Sequence, residues 1–186
     1  MFDPVHFGHL SMAELARSNF HLDEVIFVPA GIPPHKQSVT TSAFHRLEML
    51  KLALANAPYC TIWEGEVNKS GCAYTVDTIS DLSGVYPNAK LHFIIGADNL
   101  AEILTWHYSD EILNKVTLCA AARPGYDINR PDALSNADIE TFNGPEWGLS
   151  STILRKYLKS GLSCKFLAPD AVLAYIRENG LYGNSQ

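Results

Sequence analysis

The strongest constraint on the fold is an alternation. Short runs rich in β-branched and aromatic residues are separated by longer segments in which apolar residues return every three or four positions. That pattern predicts an α/β fold, a Rossmann-like parallel sheet with helices on both faces. The expected strands are Glu24 to Pro29, Cys60 to Glu64, Leu91 to Ile95, Val116 to Ala121 and a short Cys164 to Leu167. Between them, a helix from His9 to Asn19 puts Leu10, Ala13 and Ala16 on one face, and a helix from Ser42 to Asn56 does the same with Phe44, Leu47, Leu50 and Leu54. Two later helices carry end signals. Ser150 or Ser151 caps TILRKYLKS, which stops at Gly161, and Pro169 opens AVLAYIREN, which stops at Gly180. The polar stretch from Pro124 to Gly148 is weakly periodic and is expected to be a surface excursion.

With 186 residues, of which 47% are hydrophobic, the chain can fill one sizeable core, and residues 1–186 are expected to form a single domain. Its apolar runs are too short to cross a bilayer and no basic, then apolar, leader opens it, so a cytoplasmic location is expected. The four cysteines, Cys60, Cys72, Cys119 and Cys164, form no CxxC pair and have no histidine at zinc-finger spacing, which predicts a reduced compartment and no structural metal. A formal charge of −6 argues against binding along a nucleic-acid backbone, which needs a concentrated basic surface. It leaves room for a small anionic ligand, because Lys36, Arg46, Arg123, Arg155 and Lys156 can converge locally. Assembly into a homo-oligomer is left open.

The chain opens MFDPVHFGHL, with Pro4 and Gly8 bracketing histidines at positions 6 and 9 just where a helical pattern begins. A helix start offers unpaired N–H groups and the positive end of the dipole, so His6 and His9 are placed to hydrogen-bond phosphate oxygens. Taken alone, the same spacing also describes a surface turn that happens to hold two histidines. Likewise, Ser150, Ser151 and Thr152 in LSSTILR read either as phosphate ligands at a helix start, with the Arg155 fork one turn further on, or as an ordinary cap and a solvated arginine.

Context decides between these readings. HFGH matches the (H/T)xGH motif of the nucleotidyltransferase superfamily, and MFDPVHFGHL resembles GGxFDPxHxGH without its leading glycines. PAGIPPHK (Pro29 to Lys36), AYTVDTI (Ala73 to Ile79), FIIGADNL (Phe93 to Leu100) followed by Trp106, AARPGY (Ala121 to Tyr126) and LSSTILR (Leu149 to Arg155) follow in order. With the ending YIRENGLY, this set is similar to the bacterial nicotinate mononucleotide adenylyltransferases over nearly the whole chain. The absence of GxGxxG after a strand argues against a dinucleotide-dependent redox enzyme.

The resemblance implies transfer of the adenylyl group of ATP to nicotinate mononucleotide, giving nicotinate adenine dinucleotide and pyrophosphate, with nicotinamide mononucleotide as the alternative acceptor. A nucleotide-binding protein without turnover is the alternative of another class. His6, His9 and Arg155 take the catalytic roles, and Gly8, Gly96, Asp98, Ser150, Ser151 and Thr152 join them in holding ATP, Asp98 by accepting from ribose hydroxyls. His35, Lys36, Arg46, Thr75, Trp106 and Arg123 fall on the mononucleotide side, with the Trp106 indole against the pyridine ring and Thr75 toward the nicotinate carboxylate. Mg²⁺ is expected to arrive with the triphosphate and to be held mainly by its oxygens and water, because no carboxylate cluster is evident. In the family resembled, a buried parallel strand and two glycines precede the phosphate turn. Here that first strand is missing, and the expectation is that Met1 is not the natural start.

Overall fold

In the computed structural model the described residues are 2–31, 40–69, 71–100, 102–122, 131–145 and 148–183, without the side chain of Asp98. Among them are eight α-helices, α1 (Phe7–Phe20), α2 (Ala43–Leu54), α3 (Gly65–Asn68), α4 (Thr75–Val85), α5 (Ala97–Leu100), α6 (Ser109–Lys115), α7 (Ser151–Lys159) and α8 (Asp170–Glu178). The strands are β1 (Val25–Phe27), β2 (Cys60–Ile62), β3 (His92–Gly96), β4 (Thr117–Ala122) and β5 (Ile139–Asn143). Among the described residues these strands pair in parallel, in sheets of order β1-β2 and β3-β4-β5. The chain packs as two compact units, the first made of Met1–Ser11, Leu22–Ala73 and Trp147–Gln186, the second of Met12–His21 and Tyr74–Glu146.

The second unit is a three-layer piece. Strand β4 lies centrally, and successive side chains of a strand point to opposite faces. Leu118 and Ala120 join Val76, Ile79, Ile95, Ile103, Ile112 and Leu134 in one core, which α4 and α6 cover. Cys119 and Ala121 turn the other way, onto Ala16, Met12, Leu15 and Phe20 of α1 and onto Phe142. Being buried on both faces, β4 reads TLCAAA with no charge at all.

The first unit packs α2 against α8 and against β2. Leu47, Met49, Leu50 and Leu54 of α2, and Val172, Leu173 and Ile176 of α8, are buried. Ser42 caps α2 by accepting from the His45 N–H at 3.3 Å. On this helix the expected apolar face is rotated at its first turn, where Phe44 is 62% exposed and Arg46 is 1% exposed. The reason is polar: the Arg46 guanidinium reaches inward to donate from Nη1 to the Ala30 carbonyl and from Nη2 to the Gly31 carbonyl.

Two other expectations need correction. Cys164 to Leu167 is a turn, closed by the Leu167 N–H on the Cys164 carbonyl at 2.9 Å. Cys164 and, just after the turn, Ala168 are buried, while Phe166 is largely exposed. Conversely, the stretch expected to be a surface excursion contains β5, registered against β4 from Leu118↔Ile139 to Ala122↔Asn143. An edge strand half open to solvent needs only Ile139 and Phe142 as apolar anchors, so its polar composition hid it.

Candidate active site

The two motif-bearing helix starts in the first unit come together. Helix α1 begins at Phe7, whose N–H is held by the Leu167 carbonyl at 3.0 Å, and the His6 carbonyl accepts from the His9 and Leu10 N–H groups. The His6 and His9 rings stack with centroids 3.7 Å apart, and His9 Nδ1 accepts from the His6 N–H at 3.3 Å. His9 also meets Phe2 edge-on at 5.0 Å. At Gly8 a Cβ would lie 3.0 Å from the His6 ring, a tight contact, and 3.6 Å from the Leu149 carbonyl oxygen. That last contact is the approach of the segment leading into α7.

Helix α7 begins at Ser151 with Ser150 as its cap, the Ser150 hydroxyl accepting from the Ile153 N–H at 3.3 Å. The Ser151 hydroxyl donates to the Pro4 carbonyl at 2.9 Å. Arg155 donates from Nη1 to the Asp3 carbonyl at 2.7 Å and from Nη2 to the Thr152 hydroxyl at 3.3 Å. Thus His6, Gly8, His9, Ser150, Ser151, Thr152 and Arg155, all expected from the sequence, form one constellation around two helix N-termini. Each helix start carries partial positive charge suited to an anion.

Beneath this constellation lies a group that sequence reasoning passed over. Asp3, 2% exposed, accepts on its carboxylate from the Thr40 N–H at 3.0 Å, the Thr40 hydroxyl at 3.1 Å, the Thr41 hydroxyl and the Tyr182 hydroxyl at 2.6 Å. Burial, the largest single influence, pushes the Asp3 carboxyl up, but the bonds from Thr41, Tyr182 and Thr40 together outweigh it and hold the group below the ordinary carboxylate range. Burial and then the bond to Asp3 push the Tyr182 hydroxyl far above the usual tyrosine range, so it remains a donor. Burial lowers Arg46, against the opposing pull of Asp3, Tyr182 and Glu66. The available signal was an acidic residue set between Phe2 and Pro4 inside the quoted motif, and a tyrosine in the quoted ending.

Arg46, expected on the mononucleotide side, donates to the Ala30 and Gly31 carbonyls. His35, Lys36 and Arg123 lie outside the described residues. In the second unit, Gly96 ends β3 opposite Ala121 and the chain passes at once into α5, so Asp98 belongs to that helix rather than to a capping position. Thr75 is the first residue of α4, with Tyr74 in the capping position. Trp106 follows a 3₁₀ turn (Ile103–Thr105), half-buried, its ring edge-on to Phe93 at 6.0 Å on the rim of the core. It therefore has a packing role beside the one expected of it. Nearby, the His107 ring meets Tyr74 at 4.4 Å and Tyr108 at 4.1 Å, tilted against both.

Among the described residues no group of three or more His, Cys, Asp or Glu side chains can hold a metal ion. No described helix is long and apolar enough to cross a membrane.

This pairing of a histidine-bearing helix start with a Ser-Ser-Thr helix start, on a parallel α/β scaffold, defines the nucleotidyltransferase class. The family model described as cytidylyltransferase-like matches residues 1–157. A nicotinate-nucleotide adenylyltransferase of Bacillus subtilis is 43% identical over 182 residues, spanning 97% of this chain and 94% of that one. The solved structures of the Plasmodium falciparum nicotinic acid mononucleotide adenylyltransferase, one complexed with APC and one with NaAD, share the fold with a TM-score of 0.78, at 18% and 19% identity. Each aligns over 99% of this chain and 94% of the other. The chain belongs to the cytidylyltransferase-like family, among its nicotinate-nucleotide adenylyltransferases.

Proposed function

We propose that the chain transfers the adenylyl group of ATP to nicotinate mononucleotide, forming nicotinate adenine dinucleotide and pyrophosphate for NAD biosynthesis. The observation that carries this reading is the meeting of the α1 and α7 starts through Ser151–Pro4 and Arg155–Asp3, in a chain whose family performs that chemistry. A phosphate oxygen of the mononucleotide attacks the α-phosphorus of ATP in line, the bond to the β-phosphate oxygen breaks, and pyrophosphate departs. Such a step requires alignment and stabilisation of spread negative charge more than covalent assistance from the protein.

In this mechanism His6, His9 and the N–H groups at the α1 start hold the non-bridging oxygens around the α-phosphorus, while Ser150, Ser151, Thr152 and Arg155 hold the departing phosphates. Gly96 and Asp98 serve the ATP nucleoside. Thr75 and Trp106 serve the nicotinate ring, and His35, Lys36 and Arg123 the acceptor's anionic groups. Arg46 serves that side through the carbonyls it anchors. A divalent cation travels with the triphosphate, and no step is assigned to it because the described residues give it no dedicated ligand set. The whole chain acts as one catalytic domain in the cytoplasm, on small molecules rather than nucleic acid.

Pyrophosphate release from ATP, measured with nicotinate mononucleotide and with nicotinamide mononucleotide in parallel, tests the reading. Turnover with the first well above the second is expected. Equal rates would overturn the acceptor assignment, and no release with either would leave a binding protein.

A further inference from the structure

We propose that Tyr182 is a positioning residue for this reaction, acting through Asp3 to fix Arg155 and the entry to α1. This inference rests on the phosphate-side roles given above to Arg155 and the α1 start.

Three observations converge on it. Tyr182 sits in a turn after α8 with φ of 61° and ψ of 25°, a left-handed conformation that is unfavourable for a bulky side chain and persists only where surrounding contacts require it. What that conformation achieves is a hydroxyl 2.6 Å from Asp3 Oδ1 and 3.1 Å from the Thr41 hydroxyl. A buried carboxylate that accepts from several donors is rigid, since losing any one bond leaves charge insufficiently solvated.

The backbone of that same Asp3 carries the active-site connections. Its carbonyl accepts from Arg155 at 2.7 Å, and the next carbonyl, of Pro4, accepts from Ser151 at 2.9 Å. His6 and the α1 start follow directly along the chain. The side chain of Asp3 thus faces Tyr182, Thr40 and Thr41, while its peptide unit faces the guanidinium. Any shift of Asp3 moves Arg155 and the histidine turn together. In-line displacement is sensitive to such shifts, because misplacement by about 1 Å costs on the order of a hundredfold in rate.

The test is Tyr182→Phe, which deletes the hydroxyl and keeps the ring. Pyrophosphate release is read as kcat per folded molecule and as KM for each substrate, with folding followed by circular dichroism and thermal unfolding. We expect kcat to fall about ten- to a hundredfold with both KM values little changed. Thr41→Val, which removes another donor to the same carboxylate oxygen, should do the same. In an Arg155→Lys background, Tyr182→Phe should cost less than about threefold, because groups acting in series are not additive. A merely structural role would lower the folded fraction and leave kcat per folded molecule alone, and that result would overturn the proposal. So would loss of the folded state in both single variants. Absence of turnover in the unsubstituted enzyme would overturn the functional reading and this inference with it, whereas turnover untouched by Tyr182→Phe would overturn this inference alone.

Discussion

The two units solve the problem of a rigid interior in opposite ways. In the second unit, order comes from apolar burial: β4 contributes Leu118, Cys119, Ala120 and Ala121, all fully buried, to cores on both sides of its sheet. Near the α1 start of the first unit, order comes from buried polar groups: Asp3, Thr41 and Arg46 lie in the interior, bound to hydroxyl, carboxylate and backbone partners, and the buried His6 ring stacks on His9. Apolar packing tolerates change in proportion to volume and is indifferent to pH. Polar packing is directional, and its strength depends on which groups are charged. The motifs proposed to hold phosphate sit on the polar scaffold, where direction matters.

Substitutions can break this contrast. The largest effect is expected from Leu118→Ala, which leaves a cavity in the middle of the second unit and should cost about 2–5 kcal/mol of stability in urea unfolding. That loss should be the same across the acid range, and a pH-dependent loss would undermine the apolar account. For the polar scaffold, His9→Ala should lower kcat by about a hundredfold or more through loss of a preorganised donor to developing charge. Binding should weaken less, and near-normal turnover would remove His9 from the mechanism.

Asp3→Asn is the sharpest discriminator. The amide turns donors toward donors, so a loss of about 1–3 kcal/mol is expected at neutral pH. Because the Asp3 carboxyl titrates below its ordinary 3.8, its stabilising contribution is fully present above that pH and fades as pH falls through the depressed value. The gap between the variant and the parent should therefore close in acid. A gap that stays constant would mean that Asp3 acts by shape alone. The smallest effect is expected from Trp106→Ala: about a tenfold rise in KM for the mononucleotide, from lost ring stacking, with KM for ATP much less affected. Equal changes in both would assign Trp106 wholly to its packing against Phe93.

Local pattern carried much of this molecule. Residues 25–27, 60–62, 92–96 and 117–122 formed strands where β-rich runs stood, Ser42 and Ser150 became caps, and α1 and α7 started at their motifs. Such features depend on neighbours in sequence, through side-chain alternation, capping chemistry and turn residues. The spacing of HFGH and SSTILR likewise fixed where hydroxyls, imidazoles and helix-end N–H groups would stand along each helix.

What the sequence could not decide was everything that depends on a partner distant along the chain. Strand β5 is held by the ladder that β4 offers it, and CKFL closes a turn through the Leu167 N–H on the Cys164 carbonyl. Phe44 faces solvent because Arg46 found the Ala30 and Gly31 carbonyls, a choice that reverses the apolar face of a helical turn. Asp3 became the anchor of the site only when Thr40, Thr41 and Tyr182, up to 179 positions away, closed around it. A carboxylate in a sequence is a solvated charge by default, and only tertiary structure can supply the donors that make burying it favourable.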